Sequence, residues 1–305
     1  MSWEPRALPA QPGKTFVVTG ANAGLGYFTS EQLAATGAHV VLACRSPART
    51  DAALAAIRGR VPGASVSALR LDVADLASVE SAAAILRGLP RIDALVLNAG
   101  IVHPPRDRKV SADGHELVLA TNYLGHFTLA ALVLPVLLGV PGSRVVALGS
   151  IISRLMDSSL EDLELQTTYS PWQAYAQSKV AAQVFGFELD RRLRAAGAAT
   201  RSLVVQPGYS ISGLSPRIPG VNEPSMRKRV MDRLQVFAQG KDHGAWSIVR
   251  SVVDPGAEGG QYYGPRLLTR GHPVLQTPTR TSRDPGVAAR LWDRSEKLSG
   301  LSFPV

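Results

Sequence analysis

Thr19-Gly20-Ala21-Asn22-Ala23-Gly24-Leu25-Gly26 decides the reading of this 305-residue chain. The β-branched run Lys14–Thr19 precedes it, and Gly24–Thr36, with helical spacing, follows. Glycines between a strand and a helix let the backbone turn tightly and approach a phosphate. The free N–H groups at the helix start then face the anion. Glycine spacing alone is a weak signal; the flanking strand and helix give it weight against an ordinary glycine-rich turn.

Working outward, short β-branched runs recur at His39–Ala43, Ser65–Leu71, Ile92–Leu97, Arg144–Leu148 and Thr200–Gln206. Segments with helical spacing separate them: Pro47–Arg60, Asp75–Gly88, Asp113–Leu138 and Trp172–Ala196. This alternation predicts an α/β fold, a Rossmann-type doubly wound parallel sheet with helices on both faces, as a single domain. The strands are almost wholly apolar, as strands covered on both sides must be. Residues 1–13 read as an N-terminal arm, 14–208 as a dinucleotide-binding and catalytic core, and 209–305 as a substrate lid with a C-terminal elaboration. In the last part, Ser210–Gly220 reads as a loop, Asn222–Gln239 as a basic helix, and Gly244–Val253 as another helix. Gly259–Tyr263 reads as a short strand, Leu267–Pro285 as irregular and Pro285–Leu298 as a final helix.

Further marks follow the loop in order. Leu71-Asp72-Val73 closes the third strand and Leu97-Asn98-Ala99-Gly100 the fourth. Then come Thr121-Asn122-Tyr123-Leu124-Gly125-His126-Phe127, Ser150 at the end of the fifth strand, Tyr175-Ala176-Gln177-Ser178-Lys179, and Pro207-Gly208 after the sixth. With its T-G-x-x-x-G-x-G loop the chain resembles the short-chain dehydrogenase/reductase family. Ala43-Cys44-Arg45, Asp113-Gly114 and Trp172-Gln173-Ala174-Tyr175 make it similar to the retinol-dehydrogenase-like branch. The resemblance implies catalytic roles for Asn122, Ser150, Tyr175 and Lys179. It implies a cofactor site of Gly20, Asn22, Ala23, Gly24, Leu25 and Gly26, with Asp72 and Val73 near the adenine. Asn98, Ala99, Gly100, Tyr175, Lys179, Pro207, Gly208 and Ser212 complete that site. Ser212 stands where the family carries a threonine that bonds the nicotinamide carboxamide, and serine supplies the same hydroxyl.

Four residues apart on a helix, Tyr175 and Lys179 share a face. A free phenol, with a pKa of roughly 10, is a poor base at neutral pH. A nearby ammonium and a nicotinamide cation favour the phenolate, which makes proton transfer feasible. Ser150 would donate to the substrate oxygen as charge develops there. Ser153 competes for that part, but Ser150 directly follows the strand, where sites of open α/β sheets lie. Asn122 would hold a water leading from Lys179 to solvent, and His126, one turn on, reads as structural.

An NAD site usually places an acidic residue about 20 residues beyond the first glycine, to bond the ribose 2′-OH. This chain has Ala43-Cys44-Arg45-Ser46 there, and Arg45 can pair with a 2′-phosphate. NADP(H) is therefore expected, with NAD(H) as the other possibility. Ala23 departs from NADP-binding relatives, which often carry a second basic residue at that loop position.

The chain is 45% hydrophobic and 19% charged, which excludes disorder, and its single cysteine, Cys44, excludes a disulfide scaffold or a Cys-rich zinc module. The histidines lack metal-ligand spacing, so no metal is expected. Net charge is +9, and the stretch from Pro216 onward holds 14 Lys and Arg against eight Asp and Glu. No stacking aromatics interleave with these charges, so nucleic acid is not an expected partner. The start lacks a signal-peptide core, and the greasy stretch Phe127–Val140 is too short to span a bilayer, so a cytoplasmic protein without membrane association is expected. The family's long helices build dimers and tetramers, which makes a homo-oligomer the expectation.

The whole reads as an NADP(H)-dependent oxidoreductase, carbonyl reductase in one direction. It would interconvert an alcohol and its ketone or aldehyde by hydride transfer on a lipophilic small molecule, with Tyr175 as general acid/base. The alternatives are a catalytically silent dinucleotide-binding regulator and a sugar-nucleotide epimerase or dehydratase, whose usual glycine spacing differs.

Overall fold

The computed structural model describes residues 3–5, 7–156, 158 and 160–305. Along the chain run β1 (Thr15–Thr19), α1 (Gly24–Ala34), β2 (His39–Cys44), α2 (Pro47–Arg60), β3 (Ser65–Arg70), α3 (Leu76–Arg87) and β4 (Ala94–Leu97). Next come α4 (Leu117–Leu119), a π-helical turn (Ala120–Leu124), α5 (Gly125–Leu138), β5 (Arg144–Leu148), α6 (Ile152–Leu155), α7 (Pro171–Ala195) and β6 (Arg201–Val205). The chain ends with β7 (Ser210–Ile211), α8 (Met226–Arg233), β8 (Gln239–Gly240), α9 (Lys241–Val253), β9 (Tyr262–Pro265), β10 (Pro273–Leu275) and α10 (Pro285–Ser299).

One eight-stranded sheet carries the order β10-β9-β6-β5-β4-β1-β2-β3. Every neighbouring pair in it is parallel except β9 and β10. The chain winds outward from β1 to β3 and returns to lay β4 on the other side of β1. That reversal opens a crevice beyond the carboxyl ends of β1 and β4, where open α/β sheets bind ligands.

Side-chain alternation along the strands divides the core in two. Val17 of β1 joins Phe127, Phe185, Leu189 and Trp292 on one face, while Phe16 and Val18 join Tyr27, Phe28, Ile57 and Ile248 on the other. Each such buried side chain contributes about 1.5–3 kcal/mol. Local signals set the helix starts. Asp75 accepts from the Ala77 and Ser78 N–H groups at α3, and Ser170 from Gln173 N–H at α7, where Pro171 takes the first position. Asp284 does the same at α10, ahead of Pro285.

The segment read as one helix over Asp113–Leu138 begins only at Leu117, because the Glu116 carboxylate caps it, and it loosens into the π turn at Asn122. Leu117–Leu138 together is long and apolar enough to cross a membrane, but 83% of its most apolar window is buried inside the protein. The basic helix expected over Asn222–Gln239 shrinks to α8, since Pro224 precedes the cap Ser225. The stretch read as irregular contributes β10, and with β9 it extends the sheet, so residues beyond 208 do more than form a lid. The helix α10 packs on α5 and α7, stacking Trp292 on Phe185 at 5.9 Å.

Met1, Ser2 and Arg6 of the arm, and Asp157 and Ser159 of the stretch between β5 and α7, lie outside the described residues. Elsewhere in that stretch Leu160 and Leu163 are buried in the core.

Candidate active site

The glycine loop is held from below by one hydroxyl. Thr19 Oγ1 accepts from the Asn98 and Ala99 N–H groups, each at 2.9 Å. Asn98 Nδ2 donates to the Thr19 carbonyl at 2.7 Å. On its other side Thr19 Oγ1 meets His126 Nε2 at 2.9 Å, while His126 Nδ1 lies 3.4 Å from the Asn122 carbonyl. A carbonyl only accepts, so Nδ1 carries the ring hydrogen and Nε2 accepts from Thr19. The first and fourth strands are thereby locked to the π turn, and His126 takes the structural role expected of it.

Burial lowers the His126 pKa from 6.5 to about 3, with Lys179 adding a smaller push the same way. The folded ring stays neutral while an unfolded one takes up a proton below 6.5. His126 therefore withdraws stability as pH falls from 6.5 toward 3, by up to about 1.4 kcal/mol per pH unit. Urea titrations between pH 7 and 5 are expected to show a shallower decline for His126→Gln than for the parent; equal slopes would contradict this.

Backbone geometry fits a pyrophosphate. Gly20 and Gly24 adopt φ of +65° and +60°. A Cβ on Gly20 would sit 2.8 Å from Ala99 Cα, and one on Gly26 would lie 2.4 Å from the Gly20 carbonyl oxygen. Only bare glycines let the turn close this tightly while its N–H groups at Ala23, Gly24 and Leu25 begin α1. Ala23 stands at the cap without a side-chain bond, and Asn22 precedes it. Gly208, at φ +70°, brings its Cα against the Thr269 carbonyl. Pro207 accepts from Ser210 and Gln239, and Ser212 opens a 3₁₀ turn.

The four expected catalytic residues converge beyond β4 and β5. The Tyr175 hydroxyl donates to Ser150 Oγ at 3.4 Å. Ser153, the competitor, is spent elsewhere: it donates to the Ser150 carbonyl at 2.8 Å and accepts from Gln183 at 2.8 Å. Lys179 Nζ donates to the Leu148 carbonyl at 3.1 Å. Asn122 Nδ2 donates to Ser178 Oγ at 2.9 Å and to the Ile101 carbonyl at 3.1 Å, and its Oδ1 accepts from Ile101 N–H at 2.7 Å. A Cβ on Gly100 would lie 3.0 Å from Asn122 Oδ1 and 3.6 Å from Lys179 Nζ, so both groups flank that glycine. The π turn aims Asn122 inward, since the Gly125 N–H bonds five residues back to Ala120.

Burial pushes the Tyr175 phenol above its ordinary value of 10, and the Ser150 hydrogen bond offsets only part of it. Lys179 is lowered to about 8 by burial, so it remains largely an ammonium at pH 7. The protein alone leaves the phenol protonated.

Arg45 follows β2 with its side chain 77% exposed, its guanidinium 3.6 Å from the Asp72 carboxylate. Asp72 also accepts from Ala74 N–H at 3.0 Å. Val73 lies under α5, whose Gly125 has no room for a side chain against the Val73 carbonyl. The Cys44 thiol is buried beside the Ala21 and Asn22 backbone, and burial raises its pKa.

Sequence reasoning missed Lys241, whose Nζ stands 3.5 Å from where a Gly24 Cβ would be. The contact joins residues 217 positions apart, and no local motif announces it.

The family model "short chain dehydrogenase" matches residues 14–218. Among curated proteins, polyprenol dehydrogenase of Mus musculus is 36% identical over 304 residues, covering 98% of this chain and 87% of that protein. Retinol dehydrogenase 13 of Homo sapiens is 34% identical over 297 residues, covering 96% and 86%. A solved structure of a putative uncharacterized protein from Mycobacterium Paratuberculosis superposes with a TM-score of 0.80 at 34% identity, each chain covered in full.

Proposed function

The chain belongs to the short-chain dehydrogenase/reductase family, and on that premise we propose that it is an NADP(H)-dependent oxidoreductase interconverting a lipophilic alcohol and its carbonyl compound. The observation that carries the reading is the meeting of Tyr175 and Ser150 at 3.4 Å, with Lys179 and Asn122 flanking Gly100 beside them.

The glycine loop would hold a nicotinamide dinucleotide, which when bound would supply or accept the hydride. The chain's own residues do the rest. Ser150 and Tyr175 both donate hydrogen bonds toward the substrate oxygen, and Tyr175 hands over its proton in reduction. In that direction a raised phenol pKa is an asset, since the donor is ready. Oxidation needs the phenolate, which the Lys179 ammonium stabilises. Asn122, fixed by Ile101 and Ser178, keeps the path from Lys179 toward solvent in place.

Arg45 supports NADP. Exposed, and only loosely tied to Asp72 at 3.6 Å, its guanidinium is available to a 2′-phosphate at little cost. Arg45→Ala is expected to lower the NADPH-over-NADH ratio of kcat/KM by on the order of 10- to 100-fold. An unchanged ratio would remove Arg45 from cofactor choice.

The helix α8 supports an apolar substrate. It turns polar groups inward: Asp232 is buried and accepts from Gly213 N–H and Lys228. Its opposite stripe, Met226, Val230 and Leu234, continues into Phe237 and is exposed, Phe237 by 71%. Tyr209, just beyond Pro207-Gly208, bonds the adjoining Gln235 at 2.6 Å and ties this apolar surface to the site's rim. Relatives are named for polyprenol and retinol, both apolar alcohols. Assay of NADPH oxidation against aldehydes and ketones of increasing chain length tests the reading. Turnover rising with chain length is expected, and activity confined to small polar carbonyls would overturn it.

A further inference from the structure

We propose that Lys241 is a cofactor-binding residue that closes on the pyrophosphate from the side opposite the glycine loop; this rests on the dinucleotide reading above. Lys241 is the first residue of α9. The first turn of α9 packs on α1: Gly244 lies so close to Leu25 that a Cβ there would come within 2.8 Å of its side chain, and Gln32 donates to the Asp242 carbonyl at 2.9 Å. From this position the Lys241 ammonium reaches Gly24, the first residue of α1.

That is an unfavourable place for a lone cation. It stands at the amino-terminal ends of two helices, both of which carry partial positive charge and favour anions. Among the described residues its Nζ has neither an ion pair nor a hydrogen bond. The nearby carboxylate of Asp232 on α8 is already held by Lys228 Nζ at 3.0 Å, and Asp242 faces His243 at 3.6 Å. Burial, with Lys228 adding to it, lowers the Lys241 pKa, and Asp232 offsets only part. A half-buried, unpaired ammonium directed at the phosphate loop lacks one thing, an anion lying across Gly24. The pyrophosphate of a dinucleotide has that charge, and a loop with Ala23 and no basic residue of its own leaves the charge for Lys241 to meet.

The test compares the parent with Lys241→Met and Lys241→Arg, titrated with NADPH, NADH and adenosine 2′-monophosphate, which has no 5′-phosphate. Lys241→Met is expected to weaken NADPH and NADH alike, on the order of 10- to 100-fold, as the loss of one charged hydrogen bond does. The NADPH-to-NADH ratio and the affinity for adenosine 2′-monophosphate are expected to stay as in the parent. Lys241→Arg is expected to stay within a few-fold of the parent. Without ligand, Lys241→Met is expected to melt no lower than the parent, since it removes a cation from a positive field. Unchanged NADPH affinity in Lys241→Met would overturn the inference. So would an equal loss of adenosine 2′-monophosphate, or a lower melting temperature without ligand, because either marks a merely structural residue. A parent protein that bound no dinucleotide would instead overturn the functional reading beneath it.

Discussion

Tyr175→Phe is expected to lower turnover by on the order of 10²- to 10⁴-fold, the usual contribution of a positioned general acid. The change deletes one hydroxyl from a ring that stays packed on α7, so the fold and the affinity for NADPH are expected to hold. KM for the carbonyl is expected to rise far less than kcat falls, because the proton is needed only as the carbonyl oxygen gains charge. Direction matters to the pH profile. The phenol, raised by burial, stays protonated across the neutral range, so carbonyl reduction is expected to be nearly flat from pH 6 to 8. Alcohol oxidation needs the deprotonated phenol and is expected to rise with pH. Its climb is expected to slacken above about 8, where Lys179 loses the charge that favours the phenolate. Steady-state kinetics in both directions, with NADPH binding followed by fluorescence, check these points. Turnover in Tyr175→Phe matching the parent would remove the phenol from the reaction.

Gly125→Ala is expected to be the most destabilising single-methyl addition among the site's neighbours. A Cβ there would fall 1.8 Å from the Val73 carbonyl oxygen and 2.8 Å from its carbon, both backbone atoms that no rotamer change can move. Overpacking into side chains costs about 1–3 kcal/mol. Because the obstacle is backbone, about 3 kcal/mol or more is expected, equivalent to a melting point lower by roughly 5 °C for a chain of this length. The damage has a functional side. Gly125 N–H closes the π turn onto Ala120, and that turn sets Asn122 against Ile101 and Ser178. Surviving protein is therefore expected to lose turnover as well as stability. Thermal melts beside kinetics measure both, and an unchanged melting temperature would show that α5 has slack this structure does not suggest.

Much of the architecture could be read from the chain because the signals there are local. Arg144–Leu148 and Pro47–Arg60 have the observed bounds: after Arg144 the run Val145-Val146-Ala147-Leu148 is apolar throughout and suits a covered strand, and Pro47 at the first helical position sets a start. The glycine loop and the Tyr175–Lys179 pair were likewise visible, since each lies within eight residues of chain. What escaped was decided over distance. The strand β10 exists because Pro273–Leu275 finds the edge of β9, and a proline at its start is tolerated only there. The π turn follows from Glu116 capping one end while His126 and Asn122 are drawn to Thr19 and Ile101. Lys241 escaped because only the packing of α9 on α1 brings it over Gly24. Burial, which pushes the Tyr175 phenol up, is likewise a property of the assembled site and cannot be summed from neighbours in sequence.

The lone thiol at Cys44 has a practical consequence. It is enclosed beneath the glycine turn with its pKa raised, so reagents that attack thiolates are expected to pass it by. A cysteine introduced at Phe237, on the exposed outer edge of the rim, would then be the sole point of attachment for a maleimide dye. Its emission would report, without any background to subtract, how that rim moves when dinucleotide and alcohol arrive.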